Sequence, residues 1–281
     1  MRVIEAISDL KAIVRTQKSM GRTIGFVPTM GYLHEGHLSL VNMSLQNNDY
    51  TIMSIFVNPT QFGPNEDFER YPRDMERDLR LAESAGVDVI FAPSVREMYP
   101  DGYKTYVGVE GITEVLCGKA RPGHFKGVTT VVTKLFNIIE PHRAYFGQKD
   151  AQQAAVIKKM VRDLNMNVEI ITCPIVREED GLAMSSRNVY LSPEDRKSAV
   201  VLSKSLMESE ELIKKGETNG GKIRKHIIDR IQTEKNAVID YVELVNADTL
   251  ESVDEIKGRV LIALAVKFGS TRLIDNIIVE V

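Results

Sequence analysis

Apolar residues in the first half of the chain fall into two alternating patterns. Short, β-rich apolar runs at residues 24–27, 51–57, 87–91, 144–146 and 168–172 predict strands. Between them, Leu38, Val41 and Leu45 recur at three- and four-residue spacing, as do Ile157, Met160, Val161 and Leu164. That period predicts amphipathic helices with one buried stripe. A charged stretch over residues 74–85 is read as a further helix. Strand–helix–strand alternation predicts an α/β fold, a Rossmann-like and mainly parallel sheet with crossover helices on its faces.

The pattern changes after about Val176. Ser192 and Pro193 have the N-cap and first-turn preferences of a helix start, and a long helix is predicted from there. A Gly/Asn/Thr-rich break at residues 216–221 leads to another helical stretch, and β-like runs at 239–245, 260–266 and 276–281 close the chain. Helices followed by strands predict a separate, smaller α+β domain, which divides the chain into residues 1–176 and 177–281.

Composition narrows the function classes. The chain has 281 residues, 43% of them hydrophobic and 27% charged, which is ample for a packed core and far from a disordered or fibrous composition. Lys and Arg number 36 against 39 Asp and Glu, a net charge of −3, where a binder of duplex nucleic acid usually carries a basic surplus. Cys117 and Cys173 stand far apart without metal-ligand spacing, so neither a disulfide scaffold nor a zinc site is indicated. The apolar runs are too short to span a bilayer. Early acidic residues, Glu5 and Asp9, argue against a signal peptide. The expectation is a soluble cytoplasmic protein with no nucleic-acid or membrane partner.

Five segments stand out chemically. PTMGYLHEGH, residues 28–37, follows the first predicted strand and holds two of the five histidines at i and i+3, one helical face apart. Beyond a strand's C-terminal end, that face would look into the crevice where open α/β sheets bind ligands, and the helix N-terminus there suits a phosphate. The alternative is a loop with two surface histidines. FGQKDAQQ, residues 146–153, offers Lys149 at a helix start, although Asp150 and Gln153 have capping-box spacing that would account for both without a ligand. MSSRN, residues 184–188, sets two hydroxyls and a guanidinium at the domain junction, as a polyanion clamp or as an ordinary polar linker. FVNPTQF, residues 56–62, embeds the amides of Asn58 and Gln61 among apolar residues, which implies either a polar ligand or local backbone capping. RPGHFKGV, residues 121–128, leads into a helix, with Arg121 and His124 as ligand-covering or merely solvated loop residues. Neither GxGxxG nor GxxxxGK[ST] occurs.

In chain order, PTMGYLHEGH, FVNPTQF, RPGHFKGV, FGQKD and AMSSRN closely resemble the pantoate–β-alanine ligase family. PTMGYLHEGH looks like the HxGH signature of the wider nucleotidylyltransferase-like superfamily that includes class I aminoacyl-tRNA synthetases. MSSR looks like its KMSKS-type loop, with Arg187 where lysine is often found. The resemblance covers nearly the whole chain and thins after about Leu191. Gln148 departs from the Glu that many members carry between the Gly and the Lys, with little consequence expected.

The resemblance implies ATP-driven condensation of pantoate with β-alanine through a pantoyl-adenylate, releasing AMP and pyrophosphate. It implies that His34, His37, Lys149 and Arg187 act on the phosphates, with His37 as proton donor. Met30, Gly147, Asp150, Val176, Met184, Ser185 and Ser186 would complete the ATP site, and Gln61 and Gln153 would hold pantoate, with Asn58 on the β-alanine side. Mg²⁺ would accompany ATP, and no tightly bound organic cofactor is implied. The protein ligands of Mg²⁺ are not legible: Asp78 is a candidate, with a solvated helix-face carboxylate as the favoured reading. Members are commonly homodimers. Two rivals remain: a nucleotidyl transferase using the same HxGH site on another acceptor, and a non-catalytic nucleic-acid-binding module. The neutral amides weigh against the first when its acceptor is phosphorylated, and the −3 charge with 6% aromatics weighs against the second.

Overall fold

In the computed structural model, which describes residues 1–64 and 66–281, the chain builds two sheets. The first is six-stranded and parallel throughout: β1 (Arg2–Ile4), β2 (Ile24–Thr29), β3 (Tyr50–Ile55), β4 (Val89–Phe91), β5 (Arg143–Gly147) and β6 (Glu169–Cys173), in the spatial order β1-β4-β3-β2-β5-β6. Helices fill the crossovers, as parallel neighbours require. β3 is buried at all six positions and β2 at five of six, because helices cover both faces. Each large apolar side chain so enclosed contributes roughly 1.5–3 kcal/mol over leaving it exposed, so these two central strands are the rigid base of the molecule.

The spatial order reverses between β2 and β5. From β2 the chain winds through β3 to β4 on one side, and β5 leads to β6 on the other. That reversal opens a crevice at the C-terminal ends of β2 and β5, the place where such sheets bind ligands. The segments leaving those two ends are the HEGH turn and the Gln148–Asp150 turn.

The remainder forms helices Pro193–Ser198, Val201–Lys214 and Gly220–Ile231 packed on an antiparallel sheet of β7 (Ala237–Asn246), β8 (Arg259–Phe268) and β9 (Thr271–Glu280). The predicted long helix from Pro193 is interrupted. Ala199 and Val200 keep right-handed helical dihedrals, but the backbone tightens there, with Leu202 N–H donating to the Ala199 carbonyl three residues back. Among the elements with no counterpart in the sequence reading are β1 and the helix Ile7–Ser19, besides the short helices Val95–Met98 and Leu116–Ala120. β1 is a three-residue edge strand with mostly exposed side chains, and the helix begins at Ala6, which offers no capping side chain. β9 starts five residues earlier than its apolar run because Asp275 and Asn276, both buried, break the alternation in mid-strand.

Candidate active site

The turn after β2 is held by a residue that the sequence pattern misplaces. Asp78, read above as solvated, is 1% exposed. One of its carboxylate oxygens accepts from Tyr32 N–H at 2.6 Å and the other from Leu33 N–H at 2.7 Å. Arg77 donates to the Leu33 carbonyl at 2.8 Å. Gly31 (φ 82°) and Tyr32 (φ 51°) both take left-handed backbone here, and a Cβ on Gly31 would stand 2.9 Å from the Asp78 carboxylate. Burial pushes the Asp78 carboxyl up and the two N–H donors pull it back. One signal was present in the sequence: Asp78 shares a buried i,i+4 stripe with Ala82.

His34 and His37 then start the helix Glu35–Asn47. His34 is its N-cap, and His34 Nδ1 accepts from Gly36 N–H at 3.1 Å. His37 Nδ1 accepts from His34 N–H at 3.3 Å, which completes a capping box made of two imidazoles. The rings stack at 4.1 Å between centroids. Burial, then the Lys149 charge, lowers the His34 pKa to about 4; burial, then His34 and Lys149, takes His37 well below its ordinary value. Both rings are therefore neutral at pH 7. With each Nδ1 accepting, each proton resides on Nε2, and the pair offers the cleft two Nε2–H donors.

A pH dependence follows. His124, enclosed near Arg121, is also lowered to about 4, chiefly by burial. Between the unfolded value of 6.5 and about 4, the unfolded chain binds more protons than the folded one. Stability should be intact above pH 6.5 and fall as the pH drops from 6.5 towards 4. Thermal melts across that window should show the decline, and His124→Gln should make it shallower; an unchanged slope would remove His124 from this account.

β5 ends at Gly147 and runs into a single 3₁₀ turn, Gln148–Asp150, which places Lys149 beside the crevice. The capping-box alternative fails here, since Asp150 makes no side-chain cap to the helix Ala151–Asp163. The carboxylate nearest Lys149 Nζ is Asp150, at 3.8 Å. Gln153, one helical turn on, lines the same cleft.

The amides of the FVNPTQF segment divide their work. Asn58 Nδ2 donates to Gln61 Oε1 at 3.1 Å and the Gly127 carbonyl at 3.2 Å, while its Oδ1 accepts from the Thr60 and Tyr99 hydroxyls at 2.9 Å. Its amide hydrogens and oxygen all have protein partners, and one of these bonds orients Gln61. Gly127 explains the glycine in RPGHFKGV: a Cβ there would stand 2.3 Å from the Thr60 carbonyl oxygen, so only glycine lets the Thr60–Gln61 turn lie on the helix His124–Ile139. His124 and Arg121 are not solvated loop residues. His124 Nδ1 lies 2.8 Å from the Gln61 carbonyl, and Arg121 pairs with Glu66.

The MSSRN segment closes over these groups. Met184 N–H donates to the Val176 carbonyl at 3.0 Å, and Ser185 caps the 3₁₀ turn Ser186–Tyr190. Ser186 Oγ meets Tyr71 Oη at 3.1 Å. Arg187 makes two parallel bonds to the Asp67 carboxylate at 2.9 and 3.0 Å and lies over the Tyr71 ring. Glu66, Asp67 and Tyr71 escaped the sequence reading because their role depends on arginines at least 55 residues away in the chain.

All fourteen residues singled out above as ATP- or substrate-binding line one cleft of about 210 Å³. A second hollow of about 670 Å³ adjoins it, shares Lys149, Asp150, Gln153, Ser185 and Arg187, and reaches the C-terminal sheet. Geometrically, the cleft sets two neutral donors, an ammonium and a guanidinium around one space, with uncharged amides to one side. That suits a polyphosphate bound next to a small polar acid.

Comparison with known proteins identifies the family. Residues 2–278 match the family model for pantoate–β-alanine ligase. The chain is 89% identical to a pantothenate synthetase of Acetivibrio thermocellus across the full length of both. A crystal structure of pantothenate synthetase from Thermus thermophilus superposes with a TM-score of 0.94 at 46% identity, covering 99% of each chain. A pantoate–β-alanine ligase from Francisella tularensis, complexed with β,γ-ATP and β-alanine, superposes with a TM-score of 0.80 at 36% identity, over 99% of this chain and 97% of that one. The chain belongs to the pantoate–β-alanine ligase family.

Proposed function

We propose that the cleft at the ends of β2 and β5 is where this ligase performs both of its half-reactions. The reaction is the ATP-dependent condensation of pantoate with β-alanine. First the pantoate carboxylate attacks the α-phosphorus of ATP, and the bond to the bridging oxygen breaks to release pyrophosphate. The β-alanine amine then attacks the carbonyl of pantoyl-adenylate, expels AMP and loses a proton. Both nucleophiles come from the substrates, so the protein's task is to align them and to stabilise charge on the departing phosphates.

In this reading the Nε2–H groups of His34 and His37 donate to the phosphates, and Lys149 neutralises the charge that develops on pyrophosphate. Ser185, Ser186 and Arg187 close over the triphosphate, and Arg187 exchanges Asp67 for a phosphate, whose geometry matches the same two parallel bonds. Met30, Gly147, Asp150, Val176 and Met184 line the nucleotide's position, while Gln61, oriented by Asn58, and Gln153 hold pantoate. The resemblance implied His37 as a proton donor. A neutral ring fits a hydrogen-bond donor that need not give up its proton.

Mg²⁺ enters with ATP. Among the described residues no cluster of three or more His, Cys, Asp or Glu is placed to hold a metal, and both oxygens of Asp78 are taken by backbone. The ion would therefore be held mainly by ATP's own oxygens, with Asp150 the carboxylate at hand, and it would offset phosphate charge. Residues 1–176 would bind the substrates and 177–281 would act as the lid. Homodimeric assembly and a cytoplasmic setting complete the proposal. Two free cysteines suit a reducing compartment, and no helix among the described residues is long and apolar enough to cross a membrane.

The observation that carries the reading is the meeting of the HEGH, Lys149 and MSSR groups in one cleft. Purified protein should exchange labelled pyrophosphate into ATP only when pantoate is present. Exchange that ignores pantoate, or that another acid supports equally well, would overturn it.

A further inference from the structure

The C-terminal sheet reaches the site through one amide. Asn276, in the interior of β9, is 3% exposed. Its Nδ2 donates to the backbone carbonyls of Gln148 and Lys149, each at 3.0 Å, and its Oδ1 accepts from Gln148 Nε2 at 2.9 Å. One side chain thus grips three atoms of the turn that carries Lys149. The turn has no side-chain cap of its own, since neither Gly147 nor Asp150 supplies one. The grip is itself anchored: the neighbouring Asp275 accepts Asn276 N–H at 2.8 Å and binds Arg177 through two bonds of 2.7 and 3.0 Å. Arg177 directly follows Val176, so β9 fastens two edges of the cleft from a single point.

We propose that Asn276, with Gln148 as its partner, is a positioning residue that sets where the Lys149 ammonium stands during adenylation. Packing two domains together needs only apolar contact. An amide whose two N–H groups go to consecutive carbonyls, and whose oxygen takes a third bond from the same turn, specifies the turn's position and orientation. Gln148 is therefore not a bystander between Gly147 and Lys149. A Glu there, being ionised, could not donate to Asn276 Oδ1. The proposal rests on the reading that Lys149 serves the phosphates, and it predicts an effect confined to the half-reaction in which pyrophosphate departs.

Asn276→Ala should lower pantoate-dependent pyrophosphate exchange roughly 10- to 100-fold, the scale expected when a group is displaced by about an ångström. A chase of pre-formed, enzyme-bound adenylate with β-alanine should stay within about twofold of the parent rate, because Lys149 has no pyrophosphate to serve in that step. Gln148→Ala removes one bond of the three, leaves Asn276 Nδ2 on both carbonyls, and should lower exchange by a smaller factor in the same selective way. In a Lys149→Ala background, Asn276→Ala should cost less than about threefold more, since both changes act through one group. Equal losses in both half-reactions, or losses that multiply in the double variant, would overturn the proposal and leave the function of the cleft standing. Lys149→Ala with parental exchange would instead remove the role of Lys149, and this proposal with it.

Discussion

Replacing His37 with Asn is expected to leave the chain folded and to cut pyrophosphate exchange by about 100-fold or more, the usual scale for losing one well-placed donor. The reason lies in the ring's two ends. His37 Nδ1 accepts from His34 N–H and so has a structural task, while Nε2–H is left as the ring's donor in a residue that lines the cleft. The Asn oxygen can take over the Nδ1 position but offers nothing at Nε2. His37→Gln makes the complementary change, keeping an N–H donor near the Nε2 position and giving up the capping acceptor. It should therefore retain more exchange activity than His37→Asn while melting at a lower temperature. If the two variants ranked the other way in activity, the Nε2–H donor would not be the catalytic feature of this residue.

The second large effect is expected at Asp78, which touches neither the proposed phosphates nor pantoate. Its carboxylate is the acceptor for two consecutive N–H groups of a turn with two left-handed residues. Asp78→Asn keeps the volume but turns one acceptor into a donor that confronts a backbone N–H. Leaving a buried N–H unpaired costs about 1–3 kcal/mol, and the turn can recover that only by moving. Since His34 follows Leu33 directly, such movement carries the imidazole pair with it. Exchange should drop by roughly 10- to 100-fold with a lowered melting temperature. A fully active, fully stable Asp78→Asn protein would show that the carboxylate does not set the turn.

The sequence disclosed most of the sheet and all five motif segments, because both are local properties. Short apolar runs mark β2 through β6, and the HEGH spacing implies a shared helical face. What it could not disclose are pairings between distant segments. Asp78 looks like one more charge on a charged helix until the turn it serves, 45 residues earlier, is packed against it. Asn58 reads equally as a ligand contact or a local cap, and its bonds to the Gly127 carbonyl and the Tyr99 hydroxyl are pairings that only the fold reveals. Gln148 seemed inert because its partner, Asn276, lies 128 residues away on a strand whose central polar pair hid its first half. The two histidines illustrate a finer limit. Their spacing was legible, but the ring nitrogens' division of labour depends on backbone N–H groups whose direction only the folded turn defines.

If one triphosphate draws together groups from three distant stretches of chain, Arg187 must leave Asp67 to meet it. A crystal structure with a non-hydrolysable ATP analogue and pantoate is the most direct measurement. Phosphate oxygens are expected within hydrogen-bond distance of His34 Nε2, His37 Nε2, Lys149 Nζ and Arg187, with the Arg187 bonds to Asp67 broken. A nucleotide bound elsewhere, or bound with its phosphates turned away from both imidazoles and Arg187 still on Asp67, would contradict it.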